Sequence, residues 1–418
     1  MMEYFVATET EVFPLADRGI LLLLCLIHTN SRSTTDNVFR HAFMELVDRD
    51  EQQTASVNTI SFSQLVNVLG RSLDTEISSL LLYTFITLHE EFLNTLCNSL
   101  DHELFTLPLL RAIYECNDPT LLFFNLSTLH KIVERPEVAS TLHTTIMDEH
   151  IPWYTERYMI DISMGSTIIV IVLRLISKNM STYREAELQT LCLSIVFNLM
   201  QFASQLHQYA TQTLILMLEH WVKKEAFIQT ELDRLAEDDE NEQIKLLGKQ
   251  KMYIECIHLV LGLISVCLTP RLLPQNPQMM YSLLHASSLF SSLANHPDLA
   301  LQMSDDHTRI QGMLAYFRAI IDQEEESNND DVHVLSVERV FEYIQHGSQV
   351  LFPKKSNEDD YYPQYYYKYE EDSQLANAFF GQYIWQRIVE CTSDFQWAYD
   401  KLRLPNDVKA TSAAKERD

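Results

Sequence analysis

The chain has 418 residues, 46% of them hydrophobic, and carries 31 Lys and Arg against 58 Asp and Glu, a formal net charge of −27 at pH 7. This acidic balance disfavours nucleic acid and anionic lipid as direct partners, because Lys and Arg supply most of the affinity for both. Only 8 Gly and 12 Pro occur. Their scarcity favours helices joined by short polar loops over a β-fold.

Apolar residues recur at helical spacing along most of the chain, and polar or acidic runs separate the periodic stretches. Asp118 and Asn276, each followed by Pro, and Ser336 are residue types that begin helices, and Gly347 is predicted to end the helix that Ser336 begins. The acidic run LAEDDENEQ is predicted either to interrupt two long helices or to be the tip of a helical hairpin. The predicted helices span approximately 18–28, 37–47, 60–69, 75–87, 89–99, 104–115, 119–132, 137–149, 152–178, 183–206, 209–235, 241–268, 277–285, 288–294, 309–322, 336–350 and 375–391.

The most apolar stretch of the sequence, HIPWYTERYMIDISMGSTIIVIVLRLISKN, needs separate treatment. It is too short for a membrane span, since Arg174 ends the uninterrupted apolar run, and it lacks the alternation of a half-buried strand. We therefore predict one helix over 152–178, buried on most sides, in which Gly165 lets a neighbouring helix approach closely. The polar residues that would form its single exposed stripe are spaced seven, four, seven and four apart: Glu156, Ser163, Thr167, Arg174 and Lys178.

Many short helices in series, without strands or a fixed repeat length, favour an all-α fold, an irregular α-solenoid of the armadillo or HEAT type. Composition shifts divide the chain further. The predicted parts are a flexible N-terminus (1–17), the helical solenoid (18–321), an acidic linker (322–334), C-terminal helices (335–403) that include a Tyr-rich acidic loop (353–373), and a disordered tail (404–418).

Motifs that carry chemistry are missing from the sequence. There is no P-loop, GxGxxG, GxSxG or HExxH pattern, and the 7 Cys include no CxxC pair. We expect no cofactor, no metal site and no enzymatic activity, and we interpret the cysteines as small buried residues of a reducing compartment. The N-terminus has no basic region before an apolar run, and Met2 excludes N-myristoylation at this start.

The Tyr-rich acidic loop is the candidate for partner contact, because Tyr offers a large contact area at low entropic cost. The alternative is a loop draped over the helices. A second candidate is the corner SQLHQYATQTLI, which contains His207 and Tyr209; it is either an exposed recognition corner or a turn closed by hydrogen bonds. The candidate contact residues of the loop are Tyr361, Tyr362, Tyr365, Tyr366, Tyr367 and Tyr369.

Several segments, in order along most of the chain, resemble the dymeclin family. They are LLLLCLIHTN with NVFRHAFMEL, WYTERYMIDISMGS, SQLHQYATQ, NPQMMYSLLHASSLF, LSVERVFEYIQHG and YIW. The residues that mark these motifs most clearly are Trp153, Tyr154, Gly165, His207, Tyr209, Glu338, Arg339 and Trp385.

The resemblance implies a cytoplasmic α-helical protein, peripherally associated with the Golgi, that serves Golgi organisation and vesicle traffic through cytosolic or Golgi-membrane protein partners. It implies no catalytic residues. Family members generally have a longer N-terminal region, so the chain is expected to be a shortened member, an isoform or a truncated gene model. An alternative function is a helical carrier that holds a lipid or other hydrophobic ligand in a cavity lined by 152–178 and 253–268.

Overall fold

Helices make up most of the residues that the structure describes, as predicted. The computed structural model describes residues 14–28, 37–49, 59–98, 102–234, 240–294, 304–327, 336–352, 367–368 and 373–391. The helices are α1 (Pro14–His28), α2 (Val38–Met44), α3 (Phe62–Gly70), α4 (Glu76–Leu88), α5 (Glu90–Asn98), α6 (Leu107–Glu115), α7 (Pro119–Val133), α8 (Pro136–Thr144), α9 (Met164–Lys178), α10 (Ala186–Met200), α11 (Gln208–Arg234), α12 (Glu240–Cys267), α13 (Pro277–His285), α14 (Ser287–Ala294), α15 (Ser304–Ser327), α16 (Val337–Leu351) and α17 (Ser373–Cys391).

The chain forms two compact units, one of residues 1–47, 56–58 and 370–418 and the other of residues 48–55 and 59–369. In the first unit α1 packs against α2 and α17. Asn37 accepts a hydrogen bond from the Arg40 N–H and so begins α2, while its Nδ2 donates to the Leu26 and Ile27 carbonyls. The all-α prediction is confirmed, and the solenoid and the five predicted domain bounds stay predictions.

The second unit has its core around α9. This helix packs against α8, α10 and α11, and α10 packs against α7. Every residue from Met164 to Leu173 is buried, which is what a run of Thr, Ile and Val with no charge produces when other helices surround it. Two helical stretches, Met164–Tyr183 and Asn241–Cys267, are long and apolar enough to cross a bilayer by length and composition, and 72% of the apolar window in the first is buried within the unit.

The predicted helix over 152–178 is wrong in its first half. Residues 150–163 form no helix and are irregular up to Asp161, and α9 begins only at Met164, where the Ser163 Oγ accepts the Ser166 N–H at 3.1 Å. Asp161 has a left-handed backbone with φ 53°, which a continuous helix cannot contain. The two strands β3 (Ile146–Met147) and β4 (Ile162–Ser163) then pair antiparallel, with Ile146 opposite Ser163.

Two further short strands, β1 (Val47–Asp48) and β2 (Thr59–Ile60), precede α3. The sequence predicted no strands, because a two-residue strand is too short to show alternation. Arg49 N–H donates to the Ile60 carbonyl at 2.9 Å, and the Asp48 carboxylate accepts the Phe62 N–H at 3.2 Å. These bonds position the start of α3.

Helix ends were predicted with mixed success. Asp118 and Ser336 cap α7 and α16 through their side chains, as expected. Gly347 does not end α16, which continues to Leu351; a Cβ on Gly347 would lie 2.8 Å from the Phe317 ring, so this glycine allows α15 and α16 to approach closely. The start of the predicted acidic linker is also helical, since α15 reaches Ser327; residues 328–335 lie outside the described residues.

The long helices α11 and α12 pack against each other. Most of the acidic run between them, residues 235–239, lies outside the described residues, so its predicted alternatives stay predictions. Gln250 of α12 donates at 2.8 Å to the fully buried carboxylate of Glu225 on α11, and at 2.6 Å to the side-chain oxygen of Gln229. These buried polar bonds fix the register of the two helices.

Candidate functional site

Within the second unit, a cluster of aromatic and charged side chains holds the irregular segment 150–163 against the neighbouring helices. The Tyr154 hydroxyl, on a side chain only 1% exposed, lies 3.2 Å from the Tyr209 hydroxyl at the start of α11 and donates to Glu156 at 3.4 Å. The Tyr114 ring of α6 lies 5.6 Å from the Trp153 ring and 5.3 Å from the Tyr154 ring. We call this group, together with Arg157 and Arg174, the aromatic–arginine cluster.

Two arginines complete the cluster. The Arg174 guanidinium of α9 lies 4.1 Å from the centre of the Tyr114 ring, forms an ion pair with Glu156, and donates to the Tyr114 carbonyl at 3.3 Å. Arg157 lies 4.6 Å from the centre of the Tyr209 ring. Each contact places a cation over an aromatic face, and together they join 150–163 to α6, α9 and α11.

A second set of contacts joins the same segment to the corner before α11. The Ser166 Oγ accepts the His207 N–H at 3.1 Å and the Ser163 hydroxyl at 2.9 Å. His207 Nδ1 then accepts the Tyr209 N–H at 3.1 Å. Burial, and to a lesser degree Arg157, lowers the pKa of His207, so its imidazole is neutral at pH 7. Within the corner SQLHQYATQTLI, the residues before Gln208 therefore form a turn closed by hydrogen bonds, one of its two predicted alternatives, and the rest belongs to α11.

The corner is also fixed from its other side by Asn276, at the start of α13. This fully buried amide donates at 2.8 Å to the Ala203 and Leu272 carbonyls and accepts the Leu206 N–H at 3.0 Å. All of these bonds go to backbone groups, so Asn276 substitutes for secondary structure where two loops meet. The sequence predicted Asn276 only as a helix cap, and its side chain makes no cap hydrogen bond.

Gly165 permits the closest contact in this region. A Cβ at Gly165 would lie 2.6 Å from His143 Nδ1 on α8. The predicted close approach of a neighbouring helix at this position is thus present in the structure. His143 is 2% exposed, its Nε2 lies 3.0 Å from the Leu199 carbonyl, and burial lowers its pKa to about 4.

Beside the aromatic–arginine cluster, apolar side chains face solvent. Tyr158 is 70% exposed and Ile160 is 46% exposed, and the Tyr158 ring lies 4.5 Å from the half-buried His150 ring. Arg157 is exposed between the cluster and these residues. Tyr and Arg, with Trp, are the residue types most enriched among the residues that contribute most to binding at protein interfaces. We call Arg157, Tyr158 and Ile160 the 157–160 face.

Of the motif residues predicted from the sequence, Trp153, Tyr154, Gly165, His207 and Tyr209 come together here. Three others lie elsewhere. Glu338 and Arg339 are exposed in the first turn of α16, where a hydrogen bond from its own backbone N–H and, to a lesser degree, one from the Ser336 hydroxyl lower the pKa of Glu338. Trp385 belongs to the first unit and is 52% exposed on α17. Their proposed importance stays a prediction.

Among the predicted contact tyrosines only Tyr367 is within the described residues. Its ring lies 5.0 Å from the Phe197 ring of α10, nearly perpendicular to it. The remaining five lie outside the described residues: Tyr361, Tyr362, Tyr365, Tyr366 and Tyr369.

The groups most often used in metal binding and nucleophilic catalysis are placed as follows in the described part of the chain. Within the described ranges no group of three or more His, Cys, Asp or Glu is arranged to hold a metal ion. Burial raises the pKa of the Cys97 and Cys256 thiols to about 11 and that of Cys267 to about 12, so these thiols stay protonated at pH 7. Cys192 is fully buried and its pKa is raised too.

Two pockets bear on the predicted carrier function. A groove of about 550 Å³ lies between α11 and the α13–α14 pair, and a pocket of about 80 Å³ is lined partly by Leu259 and Leu263. Neither is lined by residues of 152–178. The smaller pocket is far below the roughly 300–1,000 Å³ of small-molecule sites. These pockets do not support the cavity that the carrier alternative requires.

Comparison with known proteins decides the family. The family model described as Dymeclin: Dyggve-Melchior-Clausen syndrome protein matches residues 4–387. The chain belongs to the Dymeclin family. It is similar to the dymeclins of Xenopus laevis (28% identical over 402 residues, 94% of this chain and 58% of that protein) and Drosophila melanogaster (27% over 387 residues, 90% and 53%). No solved structure matches the chain.

The chain therefore spans somewhat more than half the length of these dymeclins. The similarity to the Dictyostelium discoideum dymeclin is 27% over 192 residues, 44% of this chain and 20% of that protein. The expected dymeclin resemblance is confirmed. Sequence reasoning nevertheless missed Tyr114 and His143 as partners of the motif residues, because neither belongs to a motif, and it placed Arg174 on a helical stripe with Glu156 without predicting its contact with the Tyr114 ring.

Proposed function

We propose that this member of the Dymeclin family is a non-enzymatic scaffold for Golgi organisation and vesicle traffic, working in the cytoplasm and binding peripherally to Golgi membranes through protein partners. In this proposal the helices stack as an irregular solenoid that presents an extended surface. Family membership supports the role, and the acidic composition supports recruitment by proteins over recruitment by lipid charge.

The observation that carries the proposal is the 157–160 face. Its backbone is irregular, yet the aromatic–arginine cluster and the bonds around Ser166 hold it at many points. An exposed apolar surface on a well-supported loop costs little ordering entropy when a partner binds. A surface of this kind suits protein recognition better than catalysis.

A replacement experiment in cells tests the proposal. Cells lacking their own dymeclin would receive the wild-type chain or a Tyr158→Glu, Ile160→Glu variant, and Golgi compactness and cargo secretion would be measured. We expect the variant to fold and to fail in rescue. The matched control, Ile244→Glu with Leu247→Glu, changes two other exposed apolar residues, on α12, and should rescue.

Equal rescue by both variants would contradict the role of the 157–160 face, and failure of the wild-type chain would contradict the proposed trafficking role of this chain. Native mass spectrometry of the purified chain separately tests the carrier alternative, because a co-purified lipid would favour that function over a scaffold.

A further inference from the structure

One side chain in α10 binds the backbone of a distant segment. Asn198 Nδ2 donates to the Tyr367 carbonyl at 2.9 Å, and the Tyr367 N–H donates to Asn198 Oδ1 at 3.0 Å. The two bonds are those that a neighbouring β-strand would make to the same residue. Asn198 therefore recognises an extended backbone and no particular side chain.

The position of Asn198 shows that these bonds are needed. Its side chain is fully buried, within the apolar sequence of α10. In the part of the chain that the structure describes, Tyr367 provides all the hydrogen bonds of this amide. In this buried position the Asn198 amide and the Tyr367 backbone satisfy each other's hydrogen-bonding groups, so either partner alone would lose two bonds.

The surroundings of Asn198 give the site a preference for an aromatic residue. The Phe197 ring meets the Tyr367 ring edge to face, a favoured aromatic arrangement. A pocket of about 80 Å³ lies beside Tyr367, between α10 and α12. Its other lining residues are Thr190, Leu193, Ser194, Phe197, Leu259 and Leu263.

Few groups of the described chain hold Tyr367 and Lys368, so these residues can dissociate from α10. Tyr367 remains 43% exposed, Lys368 is exposed, and neither contributes an ion pair among the described contacts. Backbone bonds supply the affinity and one aromatic contact supplies the selectivity, as in peptide binding to a sheet edge. The sequence YYPQYYYKYEE around Tyr367 is rich in aromatic residues, which matches this selectivity.

We propose that the face formed by α10 and α12 is a peptide-binding site whose ligand is the chain's own Tyr-rich acidic loop, bound within the same molecule through the backbone of Tyr367. A separate copy of the loop peptide competes for the same site. The inference does not depend on the Golgi role, because it concerns contacts within the second unit only.

A binding experiment on the full-length chain tests the site. The probe is a fluorescein-labelled peptide of residues 361–371, and binding is followed by fluorescence anisotropy. The receptor is the chain in which 361–369 is replaced by a Gly/Ser sequence of equal length, which removes the occupant without changing α10 or α12. We expect this receptor to bind the probe at least tenfold more tightly than the wild-type chain, whose site is already filled.

Substitutions in the receptor test the recognition itself. Asn198→Ala should weaken probe binding about tenfold or more, because it removes both backbone bonds. Asn198→Asp should also weaken it, since a carboxylate accepts the N–H but cannot donate to the carbonyl. The control Ser194→Ala changes a pocket residue that makes no bond to Tyr367 and should leave binding within about twofold.

Hydrogen exchange in the full-length chain tests the contact between Asn198 and Tyr367 even if Asn198→Ala destabilises the fold. Hydrogen exchange at the Tyr367 amide should be slow in the wild-type chain and faster in Asn198→Ala, relative to the α10 backbone amides in the same sample. Equal probe affinity for the wild-type chain and the Gly/Ser receptor, or unchanged binding and exchange in Asn198→Ala, would overturn the proposal.

Discussion

Gly165 is a residue at which one added methyl group is expected to destabilise the fold. Gly165→Ala places a methyl group 2.6 Å from His143 Nδ1, and the His143 ring cannot move away because it is buried and bonded to the Leu199 carbonyl. We expect a loss of about 1–3 kcal/mol in the free energy of unfolding, and a larger loss for Gly165→Leu. Urea denaturation measures both.

The control for this prediction is Gly248→Ala in α12. No atom lies within 4 Å of a Cβ at Gly248, so the added methyl group should stabilise the helix by roughly 0.5–1 kcal/mol. If Gly165→Ala had the same stabilising effect as Gly248→Ala, the contact between α8 and α9 would be looser than described.

His143 makes the stability of the second unit dependent on pH. Its pKa falls from 6.5 to about 4 on folding, mainly because burial disfavours the charged form. The unfolded chain therefore binds more protons between these values. The contribution of His143 is complete above pH 6.5 and is lost as the pH falls towards 4, by up to about 1.4 kcal/mol per pH unit.

The measurement is the free energy of unfolding between pH 4 and pH 7 for the wild-type chain and His143→Gln. The free energy of unfolding should depend more steeply on pH in the wild-type chain than in His143→Gln. The difference in slope corresponds to about one proton, because glutamine does not titrate. Parallel curves would mean that His143 takes up its proton in the folded state at its ordinary pKa.

For the helices, capping residues in the sequence predicted correctly where some of them begin. How far a helix extends depended on contacts with residues distant in the sequence. Asp118 and Ser336 cap the helices that they were predicted to begin. The stripe through Glu156 and Arg174 predicted a continuous helix over 152–178, and the two residues do meet, but as an ion pair between an irregular segment and α9. The spacing alone could not distinguish a continuous helix from an irregular segment followed by α9. What interrupts the helix is the pairing of β4 with β3, and β3 lies outside the predicted helix.

The same reasoning explains what could be predicted of the site. Trp153, Tyr154, Gly165, His207 and Tyr209 were identified from the motifs, and they lie together. Asn198 was not, since one Asn in an apolar helix gives no sign of a partner 169 residues away. Contacts between residues distant in the sequence depend on how the helices pack. The spacing of apolar and polar residues in a single sequence predicts helices but not these contacts.

Arg174 is predicted to hold the irregular segment to the helices. Arg174→Met keeps the aliphatic part of the side chain but removes the ion pair with Glu156, the contact with the Tyr114 ring and the bond to its carbonyl. We expect faster hydrogen exchange throughout 150–163, with a loss of about 1–2 kcal/mol in global stability. Mass spectrometry of exchanged peptides measures the first effect and urea denaturation the second.

The matched control is Arg111→Met on α6. Arg111 also pairs with a glutamate, Glu115, but that pair is exposed and joins neighbouring turns of one helix. Such pairs contribute only about 0.3–0.5 kcal/mol. Exchange in 150–163 should therefore stay at its wild-type rate. An equal response to the two substitutions would show that Arg174 acts only as a surface charge.

For the molecule as a whole, the net charge of −27 constrains how it could reach a membrane. Anionic lipid attracts clustered Lys and Arg by about 1 kcal/mol each near the surface, and this chain has no dense basic run to use that attraction. An aromatic and apolar surface such as the 157–160 face suits a protein partner, because exposed Tyr and Arg gain affinity from shaped, desolvated contacts.

Sedimentation with purified components distinguishes recruitment to membranes by a protein receptor from recruitment by anionic lipid. The chain should sediment with isolated Golgi membranes, and binding should fall at least about fivefold after the membranes are treated with protease and washed. Anionic vesicles containing phosphatidylserine should bind little of it at any salt concentration, since attraction between opposite charges is what salt screens and here the charges are alike. Tyr158→Glu with Ile160→Glu should reduce binding to untreated membranes while leaving vesicle binding unchanged. Strong binding to bare vesicles would place recruitment in the lipid and contradict a protein receptor.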